Sequence, residues 1–311
     1  MASEPIIATV GGEGPLLVIH GGAGRRLHEM SPAQRAEIDA ALGRALAAGY
    51  ELLAAGESAE AAVIAAIHVM EDAPCFNCGR GAALTLDGTA ELDACLMLGN
   101  GRTGAACGLT TARHPIDVAR AVMERTPHVL FSEPAPELLD EWGIERVEND
   151  YFVTPARAAA LEEWKTLHAI GADRPETRHG TVGAVARDAC GRIAAGTSTG
   201  GITGQVPGRV GDSPLCGAGT YANETSVAVS CTGTGETFIR DVAAHQVHAR
   251  VALGGQTPGE AASAMLAGID AHGGNGGVIV VPTSGAGVIG HTDGAQMNWG
   301  WASAAGRETH E

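Results

Sequence analysis

Aromatic and basic side chains are both scarce in this chain of 311 residues. Aromatic residues make up 4% of the sequence and glycine occurs 45 times, so small residues must fill much of the core and backbones can approach closely. Lys and Arg total 20 against 36 Asp and Glu, which gives a formal net charge of −16. Because nucleic-acid phosphates are bound by Lys and Arg, this balance argues against a nucleic-acid partner.

Long apolar runs and a regular cysteine framework are also absent. No run approaches the ~18 residues of a membrane helix, and the opening MASEPIIATVGGEGP lacks the apolar core of a signal peptide. The 7 cysteines are odd in number and scattered, which is typical of a reducing compartment. Cys75 and Cys78 form a C-x-x-C pair, but the second ligand pair of a zinc site does not follow. We expect a soluble, cytoplasmic protein with no membrane partner.

Helical and strand-like patterns alternate irregularly along the chain. Helices are predicted at 31–56, 58–72, 114–127, 236–253 and 262–272. Strands are predicted at 15–24, ending in a glycine turn, in a hairpin at 81–99 that turns at Asp87-Gly88, at 105–110, in TVGAVARD, RIAAGTSTGG and TSVAVSCTGTG, and in a hairpin at 276–293. Residues 131–178 are weakly helical, and 171–180 have the composition of an exposed, mobile linker. The pattern predicts an α/β (α+β) protein with mixed or antiparallel sheets covered by helices.

Hydroxyl side chains gather at the open end of one predicted hairpin. The strands TVGAVAR and RIAAGTSTG flank the turn DACG. A loop of three or five residues centred on Cys190 places Thr181 opposite Thr199, whereas a four-residue loop places Ser198 there. Spacing therefore brings two or more hydroxyls together at this end of the hairpin.

Thr181 lacks an obvious base among its sequence neighbours, and a Thr hydroxyl needs one to act as a nucleophile. Its own nitrogen would serve if it were a free amine, because an α-amino group has a pKa of about 7.7–8. This requires a cut between Gly180 and Thr181, directly after the predicted linker. Alone, Thr181 would be an ordinary strand residue.

Five long stretches, in order, are similar to those of the plant-type asparaginases and isoaspartyl peptidases. They are IHGGAG, FNCGRGAALTLDGTAELDACLM, HGTVGAVARD, STGGITGQVPGRVGDSPLCGAGTYAN and SCTGTGETFIR. The resemblance spans nearly the whole chain. That family belongs to the N-terminal nucleophile (Ntn) hydrolases, whose nucleophile is the first residue of a mature chain.

The resemblance implies a four-layer αββα sandwich that matures by cutting itself. Thr181 would attack the Gly180 carbonyl, the acyl group would move from nitrogen to oxygen, and hydrolysis of the ester would separate two chains. The α chain, 1–180, would end in the linker at about 150–180, and the β chain would be 181–311. Both would share one structural domain and assemble as (αβ)2.

The resemblance also implies the reaction and its residues. Thr181 would attack the side-chain amide of L-asparagine or the β-linked bond of an isoaspartyl dipeptide, with no catalytic cofactor. Thr199 would orient Thr181, while Arg209 and Asp212 would bind the substrate carboxylate and ammonium. The other implied contacts are an oxyanion hole at Thr232 and Gly233, the Gly235 carbonyl on the substrate amine, and the active-site loop residue Asn77.

A structural sodium site is implied as well. The family's loop that binds Na+ through backbone carbonyls matches residues 70–80, which makes Glu71, Phe76, Cys78 and Arg80 the expected contributors. The ion would take no part in catalysis.

Two other functions stay open at this level. Glycosylasparaginases carry Asp before the nucleophile, where this chain has Gly180. A non-catalytic protein that binds a small molecule with its glycine loops is the second, although HGGAGRR and GTGETF each lack part of a phosphate-binding motif. On that alternative, Arg209 and Asp212 would be a surface ion pair. The rank of asparagine against isoaspartyl dipeptides stays open, and a basic leaving residue, as in β-Asp-Arg or β-Asp-Lys, is a guess from the acidic charge.

Overall fold

Two stacked β-sheets form the centre of the molecule, and helices cover their outer faces. The computed structural model describes residues 4–24, 30–169 and 180–310. The strands are β1 (Ile6–Val10), β2 (Leu16–Gly24), β3 (Leu92–Leu98), β4 (Thr103–Leu109), β5 (Leu130–Ser132), β6 (Val182–Arg187), β7 (Ile193–Thr199), β8 (Thr220–Ala222), β9 (Val227–Gly233), β10 (Gly276–Pro282), β11 (Gly287–His291), β12 (Gln296–Ser303) and β13 (Gly306–His310). The helices are α1 (Pro32–Ala54), α2 (Ala59–Asp72), α3 (Pro115–Arg125), α4 (Pro136–Glu141), α5 (Pro155–Ala169), α6 (Gly235–Asp241), α7 (Ala243–Ala252) and α8 (Pro258–Ala271), with a 3-10 turn at Asn149–Tyr151.

The larger sheet has the strand order β13-β12-β2-β6-β7-β3-β4-β5, and the smaller one has the order β1-β11-β10-β9-β8. Neighbouring strands are antiparallel except β4 and β5, which are parallel. This topology confirms the predicted mixed or antiparallel sheets. It also places β6, the strand that follows Thr181, in the interior of the larger sheet.

Alternation along the central strands fixes the four layers. In β2, Leu17 packs with α1 and α2 on the outer face, and Val18 packs between the two sheets. In β9, Val229 packs with α7 and α8, and Ala228 faces the other sheet. Because successive residues of a strand point to opposite faces, each central strand is apolar on both sides. The resulting helix–sheet–sheet–helix order confirms the predicted αββα sandwich.

The first two helices begin at their predicted caps. Ser31 accepts a hydrogen bond from the Gln34 backbone, and the Gln34 side chain accepts one from the Ser31 backbone, which is a capping box. The Ser58 side chain likewise accepts from the Ala61 backbone at the start of α2. These polar signals act locally, which is why sequence reading placed both helices correctly.

The hairpin predicted at 81–99 is wrong in its first half. The turn at Asp87-Gly88 is present, and β3 follows it. Before the turn, however, Thr85 makes only a single bridge, to Gln205 in a distant loop. Thr85 therefore pairs with a distant loop and not with the second strand of the predicted hairpin.

The glycine turn predicted at the end of the first strand is also wrong. β2 continues through Gly21 and Gly22 to Gly24, paired with β12. A register shift between Asn298 and Trp299 accommodates the extra residue. The glycines thus lie inside a fully buried strand.

The helix predicted at 236–253 is two helices, α6 and α7. Val242 separates them with φ 50° and ψ 48°, a left-handed conformation that the apolar pattern could not reveal. The last helix, predicted at 262–272, begins earlier, at Pro258, because Thr257 and Glu260 form a capping box.

Several elements were missed in the sequence. These are strands β1, β5, β8, β12 and β13, whereas helices α4 and α5 lie in the stretch 131–178 that was predicted only as weakly helical. Helix α5 lies inside the predicted linker of 150–180 and buries Leu161. Residues 170–179 are outside the described residues, so the mobility of that segment stays a prediction. Among the helices that the structure describes, none combines the length and apolar character needed to span a membrane.

Candidate active site

Thr181 and Thr199 face each other at the open end of the β6–β7 hairpin. The ladder pairs Val182 with Ser198 and Gly183 with Thr197, which is the register of the odd-numbered loop. The Thr181 Oγ1 donates a hydrogen bond to the Thr199 Oγ1 at 3.0 Å, and both residues are buried. The hydroxyl contact predicted from spacing is therefore present.

A small pocket collects six of the predicted site residues. It is lined by Thr181, Thr199, Arg209, Asp212, Gly233 and Gly235, together with Gly201, Ile202, Gly211 and Ser213, which sequence reasoning had not singled out. Three residues predicted for the active site, Thr232, Asn77 and Gly180, do not line it. The pocket therefore places a hydroxyl beside one cation and one carboxylate.

Arg209 already holds a carboxylate. Its Nε and Nη2 atoms each lie 2.9 Å from the Glu236 Oε1 in the first turn of α6. The Arg209 Nη1 also donates to the Gln205 Oε1 at 3.4 Å. The guanidinium is thus paired with Glu236, and its predicted role of binding a substrate carboxylate stays a prediction.

Asp212 is buried and lacks a counterpart for one oxygen. Its Oδ2 has no hydrogen-bond partner among the described residues. Burial raises its pKa to about 7, although Arg209 and a backbone hydrogen bond pull the pKa down. The neighbouring Ser213 Oγ is likewise buried without a partner in that part of the chain. Both groups can therefore bind a ligand. Ser213 directly follows Asp212 in the sequence GDS, and this adjacency could have identified it as a site residue.

The side chains of Asp212 and Arg209 leave room only for glycine at position 235. A Cβ built on it would lie 2.9 Å from the Asp212 Oδ1 and 3.1 Å from the Arg209 Nη2. Gly233, with φ 149°, would place a Cβ 2.2 Å from the Asn275 carbonyl oxygen. A side chain at either position would close the pocket or displace its walls.

The Gly180 carbonyl, which belongs to the peptide bond preceding Thr181, accepts a backbone hydrogen bond. The Asn77 backbone N–H donates to the Gly180 oxygen at 3.2 Å. The Asn77 side chain is fixed in turn, because its Nδ2 donates to Gly201 and its Oδ1 accepts from Ala83. Asn77 therefore contacts the peptide before Thr181 and lies outside the small pocket, a position that sequence reasoning missed.

Glycine at 180 and at 22 permits this arrangement. A Cβ on Gly180 would lie 2.6 Å from the Asn77 Cβ, and one on Gly22 would lie 2.5 Å from the Gly180 Cα. Gly180 lines a second cleft, of about 680 Å³, whereas Thr181 lines the small pocket. The peptide bond between Gly180 and Thr181 thus lies between the cleft and the pocket.

Thr232 is the last residue but one of β9, directly before the pocket residue Gly233. Its Oγ1 accepts a hydrogen bond from the Ala23 backbone at 3.2 Å, and the residue is fully buried. The hydroxyl proton is not used in this contact. Thr232 can therefore still donate to an oxygen next to Gly233.

Buried polar side chains form a hydrogen-bonded network between the two sheets. The His20 Nε2 is 3.0 Å from the Ser230 Oγ, which is 2.7 Å from the Thr197 Oγ1. Thr220 donates to Thr197 and lies 3.0 Å from the Ser213 carbonyl. Burial lowers the pKa of His20 to about 3, so its imidazole is neutral. The His20 side chain is fully buried.

The predicted sodium loop folds back on itself around two glycines. The Glu71 carbonyl accepts from the Arg80 N–H at 2.7 Å, and the Met70 carbonyl accepts from the Cys78 Sγ at 3.3 Å. A Cβ on Gly81 would lie 2.4 Å from the Pro74 oxygen and 2.8 Å from the Phe76 oxygen. The Pro74 and Phe76 carbonyl oxygens thus both lie beside Gly81, and oxygen ligands of this kind suit a hard cation.

A different group has the composition of a transition-metal site. His68, His114 and Asp117 have ligand atoms within 4.8 Å of one another, between α2 and α3. The His68 Nε2 is 2.8 Å from the Asp117 Oδ1, which is already an ion-pair geometry. This group borders the predicted sodium loop, because the His114 Nε2 lies 3.2 Å from the Oδ1 of Asp72 in that loop.

A four-layer αββα sandwich with a hydroxyl at the head of an interior strand is the architecture of the Ntn hydrolases. The family model described as Asparaginase matches residues 13–310. The isoaspartyl peptidase of Salmonella typhimurium is 46% identical over 298 residues, which cover 92% of this chain and 95% of the relative. The isoaspartyl peptidase of Escherichia coli is 44% identical over 298 residues, covering 92% and 93%. The plant-type L-asparaginase of Thermococcus kodakarensis is 40% identical over 267 residues, covering 80% and 84%.

The chain belongs to the Asparaginase family. It is a hydrolase with the Ntn fold, as the sequence resemblance implied. Members of this family need no catalytic cofactor.

Proposed function

We propose that the chain cuts itself between Gly180 and Thr181 and then hydrolyses L-asparagine and β-aspartyl dipeptides with Thr181 as nucleophile. One observation carries this proposal: the Thr181 hydroxyl, bonded to Thr199 at 3.0 Å, shares a pocket with Arg209 and Asp212. The pocket offers a nucleophile, a carboxylate-binding cation and an ammonium-binding carboxylate. These are the groups that a reaction on an aspartyl amide requires.

Self-cleavage uses contacts around Gly180. The Thr181 Oγ attacks the Gly180 carbonyl carbon, and the negative charge that develops on the oxygen is stabilised by the Asn77 N–H. The hydroxyl proton passes to the Thr181 nitrogen as the C–N bond breaks, which gives an ester on Thr181 and a free α-amine. Water then hydrolyses the ester, which leaves a carboxylate on Gly180. The products are an α chain, 1–180, and a β chain, 181–311, within one structural domain.

Substrate binding follows from the two charged groups. Arg209 receives the α-carboxylate, which takes the position now filled by the Glu236 Oε1. Asp212 and the Gly235 carbonyl receive the ammonium, so the unpartnered Asp212 Oδ2 gains a counter-charge. The substrate side chain then extends toward Thr181.

Hydrolysis begins when the free amine of Thr181 accepts the proton of its own hydroxyl. The Oγ attacks the β-carbonyl carbon, with Thr199 orienting the hydroxyl and Thr232 and Gly233 stabilising the oxyanion. Ammonia or the amine of the leaving residue departs with a proton. Water cleaves the acyl-enzyme and releases aspartate.

The choice of substrates rests on the relatives. Two are named isoaspartyl peptidase and one plant-type L-asparaginase, so we propose both activities for this chain. Glycine before the nucleophile favours this branch over glycosylasparaginase activity. Membership of a hydrolase family disfavours a non-catalytic binding protein.

Three further features complete the proposal. Backbone carbonyls of the loop that includes Glu71, Phe76, Cys78 and Arg80 bind a structural Na+, which the nearness of the Pro74 and Phe76 carbonyl oxygens beside Gly81 supports. Two αβ pairs assemble as (αβ)2, and the enzyme is cytoplasmic. All seven cysteines are free, which supports a reducing location.

Replacing the nucleophile tests the proposal. Thr181→Ala removes the hydroxyl, so purified protein should stay as one band on a denaturing gel, and amide hydrolysis should fall by about 10³-fold or more. Thr181→Ser keeps a hydroxyl and should still yield two fragments, with a new terminus that begins Ser-Val-Gly. Ammonia release from L-asparagine and amine release from β-aspartyl dipeptides measure the activity. Survival of hydrolysis in Thr181→Ala would show that another residue is the nucleophile.

A further inference from the structure

Two cysteines that are distant in sequence lie side by side next to the pocket. The Sγ atoms of Cys95 and Cys216 are 3.8 Å apart. Cys95 lies in β3 and is fully buried, whereas Cys216 is exposed in the loop between Asp212 and β8. A disulfide has an S–S distance of about 2.05 Å, so the sulfurs need to approach by roughly 1.8 Å. Because Cys216 is exposed, its side chain and the backbone beside it can move to supply that approach.

The remaining cysteines have different surroundings. Burial raises the pKa of Cys75 to about 11 and that of Cys78 well above its ordinary value, so the C-x-x-C pair stays protonated. Cys107 points its thiol at a backbone carbonyl, and Cys231 is buried. Cys190 is exposed, but none of the described thiols lies at hydrogen-bond distance from it. Exposure and a thiol neighbour therefore coincide at Cys216.

The contact between the two thiols favours Cys216 as the reactive one. A hydrogen bond from the Cys95 thiol lowers the pKa of Cys216, while the same contact and burial raise the pKa of Cys95 well above its ordinary range. The thiolate is the nucleophilic form of cysteine. Cys216 therefore meets an oxidant first, and Cys95 is placed to react second.

We propose that Cys95 and Cys216 form a reversible disulfide when the enzyme meets hydrogen peroxide. The Cys216 thiolate attacks one peroxide oxygen, the O–O bond breaks, and a sulfenic acid and water result. The Cys95 thiol then attacks the Cys216 sulfur, and the sulfenic hydroxyl leaves as a second water. Two thiols are oxidised to one disulfide and one peroxide is reduced to two waters. A dithiol reductant reverses the bond.

The bond would join the substrate-binding loop to the sheet that holds the nucleophile. The Asp212 carbonyl accepts hydrogen bonds from Leu215 and Gly219, on either side of Cys216. Cys95 pairs with Thr197, two residues from Thr199 in β7. Closing the sulfurs therefore shifts the loop of Asp212 relative to Thr199. This consequence rests on the proposed function, and we expect KM for L-asparagine to rise at least threefold with a smaller change in kcat.

The two cysteines also fall in different fragments of the proposed mature enzyme. Cys95 belongs to the 1–180 chain and Cys216 to the 181–311 chain. A non-reducing denaturing gel of peroxide-treated enzyme should therefore show the fragments joined in one band, and dithiothreitol should separate them. Peptide mass spectrometry should identify the Cys95–Cys216 link, and it does so whether or not the chain is active.

Matched variants sharpen the test. Cys216→Ser, at the exposed position, and Cys95→Ser should each give two bands after peroxide and keep their KM. Cys190→Ser, which removes the other exposed thiol, should behave as the unchanged enzyme. Absence of the linked peptide in oxidised enzyme would overturn the proposal, as would an unchanged KM once the link has formed. A single band under reducing conditions would instead contradict the proposed self-cleavage.

Discussion

Asp212 shows how a single buried group can set the pH dependence of a site. Its carboxyl has a pKa raised to about 7, because burial penalises the charged form more than Arg209 compensates. Above that pH the carboxylate is ionised and can attract an ammonium. Below it the group is neutral, and the attraction is lost.

KM for L-asparagine should therefore rise as the pH falls below 7. The expected rise is about tenfold for each pH unit, since only the ionised carboxylate binds the substrate amine. Initial rates between about pH 5.5 and pH 8.5 measure it. Asp212→Asn, which cannot ionise, should have a high KM that changes little over the same interval. A variant with the same acid dependence as the unchanged enzyme would assign the titration to another group.

Sequence reasoning reached the residues whose partners are near in the chain or whose motifs are long. The Thr181–Thr199 contact followed from hairpin spacing. The contact of Asn77 with Gly180 did not, because it joins segments about 100 residues apart and uses a backbone donor that no motif encodes. The Arg209–Glu236 pair was missed for a related reason: its members are 27 residues apart, and the sequence offered Asp212 as the nearer partner of Arg209.

At the scale of elements, two glycines of helix α1 have opposite effects on stability. In α1, a Cβ on Gly43 would meet nothing within 4 Å. A Cβ on Gly49 would lie 2.6 Å from the Leu17 side chain and 2.7 Å from the Ala62 carbonyl oxygen of α2. Gly49 thus permits the close approach of α1 to β2 and α2, whereas Gly43 only costs helix stability.

Gly43→Ala and Gly49→Ala should shift stability in opposite directions. The first should raise the thermal midpoint by about 1–3 °C, because alanine is the better helix former by about 0.5–1 kcal/mol. The second should lower it by roughly 3 °C or more, since the crowded methyl must push two elements apart. Thermal unfolding followed by circular dichroism compares them. A gain in midpoint for Gly49→Ala would mean that the helices separate at little cost.

Elements were predictable where local signals decided them. Ser31 and Ser58 marked two helix starts. The break at Val242 was not predictable, because a β-branched residue in a left-handed conformation is held there by the surrounding structure against its own preference. Strand β13 was missed because its residues are mostly exposed and carry no apolar alternation.

At the scale of the whole molecule, the two proposed chains interleave. In the larger sheet, β2 and β3 come from residues before Gly180, while β6, β7 and β12 come from residues after it. The order β12-β2-β6-β7-β3 therefore crosses between the chains three times. In the smaller sheet, β1 pairs with β11 across the same division.

The fragments should consequently remain together after cleavage. They should elute as one species in gel filtration under native conditions and separate only in denaturant. Uncut Thr181→Ala protein provides the reference elution volume. Two separate native peaks from cleaved enzyme would contradict the interleaved arrangement.

The interior position of β6 has one more consequence. A newly made chain end usually frays, since it has neighbours on one side at most. The amine that cleavage would release at Thr181 instead emerges between β2 and β7, with a backbone ladder on each side of the next residues. A terminus anchored in this way keeps its nitrogen at a fixed distance from its own hydroxyl, so the proton acceptor is in place the moment the bond is cut.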